Sequence, residues 1–247
     1  RYEAACSTLD MGPRPARVRA RSRVGHVPSA ALLARTEVLR DAGGFDPTMP
    51  VGEDVDLVWR LDRDGSTVRY EPRSRVAHHH RTSVWSWARR RLDYGTAAGP
   101  LARRHPGALA PVELSMRGRA RRETSLVAAG AGPDLATELS TAAGRSSRHQ
   151  LARCLLRPWW PVTVAAVALA PSRFVRAALA AAIAGAVAGA AVRDWREEAP
   201  PVGPATSVLG RLADDVAYGT GVWIGCLRER TIEPLVPLVR WGATRPG

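Results

Sequence analysis

Two apolar runs near the end of this chain, Trp159–Ala170 and Phe174–Val192, are separated only by Pro171, Ser172 and Arg173. A connector that short brings the second run straight back beside the first. The pair therefore reads as a helical hairpin, or as one spanning and one interfacial helix. The first run has 12 residues, short of the roughly 20 that a membrane-crossing helix needs, and the second has 19 but is mostly Ala and Gly. Arg153, Arg157, Arg193 and Arg196 flank the pair, which would hold both outer flanks in the cytoplasm. The competing reading is a buried Ala-rich helix pair in a protein that never meets lipid. Gly185 and Gly189 form a GxxxG pair, which means little in a run so rich in small residues.

These runs divide the chain. Residues 1–110 are expected to be a mixed α/β unit, 111–150 a polar linker, 151–198 the helical pair and 199–247 an amphipathic tail. Within the first unit, "VGHVPSAALLAR" is an apolar run broken by Pro28, compatible with a buried strand entering a turn. Thr36 is a candidate cap for a short helix that Gly43-Gly44 stops. Val55, Val58, Trp59 and Leu61 recur at helical spacing between Gly52 and Gly65. A β-rich stretch surrounds Pro72, and "SVWSWARRRLDYG" resumes a helical pattern.

Composition narrows the class. The chain has 247 residues, 45% of them hydrophobic, which excludes a disordered chain. Its 36 basic residues are all Arg, against 23 acidic ones, for a net charge of +13. Those Arg residues are spread along the chain, and no zinc finger, ribonucleoprotein motif or helix-turn-helix pattern accompanies them. Such a spread suits anionic headgroups or a nucleotide diphosphate as well as it suits a nucleic acid, which is not the expected partner. Cys6, Cys154 and Cys226 are odd in number and far apart, which argues against a disulfide framework and a thiolate zinc site. Asp214-Asp215, beside a helical apolar stripe, reads as a solvated face and not as a metal pair.

Three clusters could carry chemistry. Glu53-Asp54 follows Gly52 directly. Carboxylates at a helix start are favoured by the dipole and by the free amides there, but one held on a tight turn could also serve as a general base. In the run His78-His79-His80, strand geometry would set His78 and His80 on one face, suited to a divalent metal or a diphosphate, or simply to a polar strand end. Arg89, Arg90 and Arg91 stand among aromatic residues, as a basic surface helix would, or as a grip on a diphosphate.

In this order and spacing, the segment "GGFDPTMPVGEDVDLVWRLDRDGSTVRYEPRSRVAHHHRTS" resembles the acceptor half of a family-2 glycosyltransferase of the GT-A type. The phrases "VPSAALLAR", "YGTAAGPLARRHPGALAP" and "LADDVAYGTGVWIGCLRERTIEPLVP" carry the likeness further, to the glycosyltransferases of the mycofactocin system. The resemblance implies an α/β chain: part of a GT-A (Rossmann-like) domain followed by a helical, membrane-associated region. It implies Asp54 as catalytic base with Glu53 beside it, and Gly44, Phe45 and Asp46 in an acceptor loop. His78 would lie near a divalent metal (Mg or Mn), and Arg89, Arg90 and Arg91 near the donor diphosphate.

The activity so implied is inverting transfer of a hexose, with UDP-glucose as the expected nucleotide-sugar donor. The acceptor would be a peptide-derived redox cofactor precursor or the growing glycan on it, at the cytoplasmic face of the cell membrane. The Gln and the terminal Arg-Trp of QxxRW, found in many processive members, are missing from "WARRRLDYG", and Met116–Gln150 is polar where apolar sequence is expected. The chain starts at Arg1, so it is expected to be the later part of a longer protein, lacking the nucleotide-binding half and inactive alone. The rival readings are a family-2 transferase with a lipid-linked or polysaccharide acceptor, and an Arg-rich binder without catalysis.

Overall fold

The computed structural model of the chain describes residues 11, 13–22, 24–76, 83–109, 113–116, 146–198, 201–236 and 238–241. These are mostly helical, with two small two-stranded sheets. Strands β1 (Ala16–Val18) and β2 (Val68–Tyr70) pair antiparallel, Val18 opposite Val68. Strands β3 (Glu113–Met116) and β4 (Leu238–Trp241) pair in parallel. Between β1 and β2 lie α1 (Thr36–Asp41) and α2 (Glu53–Arg63). Helices α3 (Val84–Thr96) and α4 (Ala98–Arg104) follow almost without a break. Then come α5 (Ser146–Ala168), α6 (Arg173–Glu198) and α7 (Pro204–Glu229).

Local chemistry accounts for the first unit. Gly52 begins α2 at φ 82°, the left-handed region, and a Cβ there would lie 2.8 Å from the Ala97 side chain. Backbone and space thus both require glycine. Leu57, Val58, Trp59 and Leu61 bury the inner face of α2. Val58 and Trp59 meet Val18, Val24, Val27, Met49, Ala97 and Leu101 in one core. The apolar run from Val24 is not a strand beyond a single bridge from Val18 to Val24. Pro28 cannot donate to a ladder, and the Trp59 indole N–H instead anchors the Gly25 carbonyl at 2.7 Å. His78 and its neighbours in the His run lie outside the described residues.

The later elements depart further from expectation. The segment read as a polar linker supplies β3 and the first turn of α5. The segment read as a tail supplies α7, which packs along α3, α4, α5 and α6. Its approach to α3 is backbone to backbone: a Cβ at Gly221 would fall 2.0 Å from the Leu92 carbonyl oxygen, and one at Gly95 would fall 2.2 Å from that of Tyr218. Helices α5 and α6 do form the antiparallel pair, closed by the turn at 169–172.

Asp214 is not on a solvated face. It is buried in α7, where Arg91 of α3 binds both of its carboxylate oxygens and Arg157 of α5 donates to Oδ2 at 2.7 Å. Asp215 faces the Arg157 guanidinium at 3.2 Å, and the Tyr218 ring lies 4.2 Å from that guanidinium carbon. Helical periodicity gave Asp214 a solvent side; the basic groups that bury it come from two distant helices.

Candidate active site

The start of α2 presents Asp54 to the loop that carries Ser29. Asp54 is half-buried; its carboxylate accepts the Val55 backbone N–H at 2.8 Å and the Ser29 backbone N–H at 3.3 Å. Amides that converge on an oxygen pair in this way fix the carboxylate's direction without neutralising it. Glu53 is half-buried on the same turn.

His26 was not singled out in the sequence, yet it lies close enough to Asp54 for the two charges to interact. Burial pushes its imidazole below the ordinary value, and the Asp54 charge opposes that shift. The signal for it was a single ionisable residue inside an otherwise apolar run. The chain is held to α2 on both sides of His26, by Trp59 at Gly25 and by Asp54 at Ser29.

The second loop is Gly43–Thr48. Gly43 and Gly44 take φ values of 76° and 65°, and this stops α1. Arg60 of α2 donates to the carbonyls of Ala42 and Gly44, the latter at 2.6 Å. Asp46 accepts the Thr48 hydroxyl at 2.7 Å, the Thr48 backbone N–H at 2.8 Å and the Arg104 guanidinium at 2.5 Å. Thr48, with Arg104 beyond it, holds the Asp46 carboxyl below the ordinary carboxylate value. Phe45 stands outward at the tip, 44% exposed.

Glu53 and Asp54 stand at the head of α2, while Gly44 and Asp46, with Phe45 between them, lie in the loop held by Arg60 and Arg104. Arg89 and Arg90 lie on α3, Arg89 exposed and Arg90 with its guanidinium 5.7 Å from the Tyr94 ring. Arg91, expected beside them at a diphosphate, turns inward to Asp214. A helix of period 3.6 cannot point three successive side chains the same way. His78 lies outside the described residues, and among the described residues no three His, Cys, Asp or Glu side chains gather to hold a metal ion.

A carboxylate held by backbone amides suits an enzyme that takes a proton from a bound hydroxyl. The chain is 39% identical over 272 aligned residues to the pre-mycofactocin glycosyltransferase of Mycobacterium tuberculosis, in strain CDC 1551 / Oshkosh and equally in strain ATCC 25618 / H37Rv. The match takes in 97% of this chain and 57% of each relative, so the chain spans little more than half of their length. Over that stretch its sequence is similar to those two glycosyltransferases. No protein-family model and no solved structure matches it.

Proposed function

We propose that this chain supplies the acceptor side of an inverting, GT-A-type family-2 glycosyltransferase acting in the mycofactocin pathway. The observation that carries the reading is the Asp54 carboxylate, aimed by two backbone amides at the head of α2, on the same helix whose Arg60 grips the Gly43–Thr48 loop. In the proposed reaction Asp54 accepts the proton of an acceptor hydroxyl. The freed oxygen lone pair forms the new bond to the anomeric carbon of the hexose. The bond from that carbon to the diphosphate breaks on the opposite face, its electron pair leaving with the nucleotide. Phe45 offers an apolar surface to a sugar ring or a peptide-derived acceptor. Arg89 and Arg90 are the basic groups that remain for the leaving diphosphate. The donor in this reading is UDP-glucose and the acceptor the peptide-derived redox cofactor precursor or its growing glycan. A divalent metal, with His78 as its ligand here, remains part of the proposal for the whole protein. Among the described residues no three His, Cys, Asp or Glu side chains gather to hold such an ion, and the proton transfer to Asp54 does not require one.

The reading includes a membrane. Among the described residues one helix is long and apolar enough to cross a bilayer, Arg173–Arg193 of α6, 21 residues with mean hydropathy 1.9 and almost none of it covered by the rest of the chain. At 1.5 Å per residue it is about 32 Å long, against a hydrocarbon core of about 30 Å. In this reading the two outer flanks of the helical pair, which carry Arg153, Arg157, Arg193 and Arg196, lie with the site on the cytoplasmic side.

Asp54→Asn, made in the full-length protein, tests the base assignment. Turnover should fall by about 10²–10⁴-fold with acceptor affinity retained. Turnover equal to wild type removes the assignment.

A further inference from the structure

The geometry points to Arg104 and His105, the last residue of α4 and the one after it, as the positioning residues that set the acceptor loop. The two neighbours reach that loop by separate routes. Arg104 goes directly: its Nη2 donates to Asp46 Oδ2 at 2.5 Å and to Thr48 Oγ1 at 3.1 Å. His105 goes through α2: its Nε2 meets Asp56 Oδ1 at 2.8 Å, Asp56 Oδ2 accepts Arg60 Nε at 2.8 Å, and Arg60 Nη2 donates to the Gly44 carbonyl at 2.6 Å. Phe45 lies between the two points of attachment.

Each link is held in place from behind. The His105 ring meets Trp59 edge-on, the centroids 5.2 Å apart and the planes at 88°. With one nitrogen on a carboxylate and its ring against an indole, the imidazole has one orientation left. Leu101 and Ala102 bury α4 in the core. Arg103 donates to the Glu229 carbonyl at 2.9 Å, and the Gly107 N–H donates to Glu233 Oε1 at 2.7 Å, so this end of α4 is also fastened to the C-terminal helix and the turn after it. A loop led by two glycines of positive φ has little stiffness of its own. Charge-assisted bonds at Gly44, Asp46 and Thr48 supply that stiffness, and they fix where Phe45 presents its ring. The chain His105–Asp56–Arg60 also runs along the helix that carries Asp54, so loop and base are positioned by one element.

The inference rests on the transferase reading for the word acceptor, and its test keeps the two apart. In the full-length protein, Arg104→Ala, Arg104→Lys, His105→Ala and His105→Gln are compared with wild type for acceptor KM, donor KM, kcat and amide hydrogen exchange over residues 42–49. Arg104→Ala should raise acceptor KM about tenfold and leave donor KM within about twofold, because only one substrate's contacts are displaced. Exchange at Gly44 and Thr48 should quicken by about tenfold with the rest of the core unchanged. The Lys and Gln variants, which keep a donor at each position, should recover part of both effects. Acceptor and donor KM rising together, or exchange over 42–49 unchanged, overturns the proposal. If wild type transfers no sugar, the transferase reading fails. Exchange then still decides whether Arg104 and His105 set the loop.

Discussion

In the N-terminal half Asp56 lies buried between Arg60 and His105; in the helical half Asp214 lies buried between Arg91 and Arg157. The two carboxylates solve the same electrostatic problem, since a charge removed from water needs opposite charge or donors around it. They differ in where the surrounding bonds lead. Those of Asp56 end on the carbonyls of a surface loop and so shape a site. Those of Asp214 end inside a helix bundle, against Tyr218, and so shape only the packing.

The surroundings differ as well. Around Asp56 the interior is apolar. The helical half buries Arg91, Arg157, Arg211, Asp214 and Ser207, and leaves Val164, Leu169, Phe174 and Leu179 exposed. Val222, Cys226 and Leu235 still form an apolar cluster inside this half, so the buried charge sits beside apolar packing and does not replace it. The exposed apolar side chains of α5 and α6 are a surface that a lipid surround would cover.

The largest expected effect comes from removing the inner carboxylate. Asp214→Ala takes away the group that Arg91 and Arg157 share. It should cost about 3–5 kcal/mol in denaturant unfolding, because buried guanidinium charge is left behind. Hydrogen exchange should quicken in α5 and α7 and stay unchanged over residues 42–48. Asp56→Ala should do the opposite, loosening the loop first. If both variants loosen the same segments, the contrast between the two carboxylates is broken.

A smaller effect tests the outer surface of the same half. Ala182 is exposed near the middle of α6. Ala182→Arg should weaken membrane partitioning by about 2.5–3.5 kcal/mol if lipid surrounds that helix. Flotation with liposomes reads this directly. Partitioning equal to wild type would mean that α6 does not meet hydrocarbon, and its exposed apolar side chains would need another cover.

The same contrast governs what the sequence revealed. Asp56 and Arg60 are four apart on one helix whose ends Gly52 and Gly65 mark, so that pair was open to a reader of local pattern. Asp214 finds Arg91 across 123 residues and Arg157 across 57, and no local period carries that information. Its amphipathic helix showed an apolar stripe, and the charge beside the stripe was assigned to solvent. The Gly43-Gly44 stop and the acidic start of α2 were legible for the same local reason. The fastening of the loop to Arg104, 58 residues from Asp46, was not. Arg91 was misread because three consecutive Arg residues look alike in a sequence and point in different directions on a helix.

Asp54 completes the comparison from the other side. Asp56 and Asp214 are each set between two basic groups, whereas Asp54 meets backbone amides and lies within electrostatic reach of His26. Because burial lowers the His26 pKa below its ordinary 6.5, the unfolded chain takes up this proton at a higher pH than the folded one does. The difference in bound protons is positive in that window, so stability rises with pH there. It is lost as the pH falls below about 6.5 toward the folded value. The slope from one group is bounded by about 1.4 kcal/mol per pH unit, and the Asp54 charge, which favours the imidazolium, keeps it under that bound. His26→Gln should flatten this acid limb of the unfolding curve while leaving stability near pH 8 within about 1 kcal/mol. An acid limb that survives the substitution unchanged would mean that His26 is not kept neutral beside Asp54, and the third carboxylate would then resemble the other two in having a cation for a neighbour.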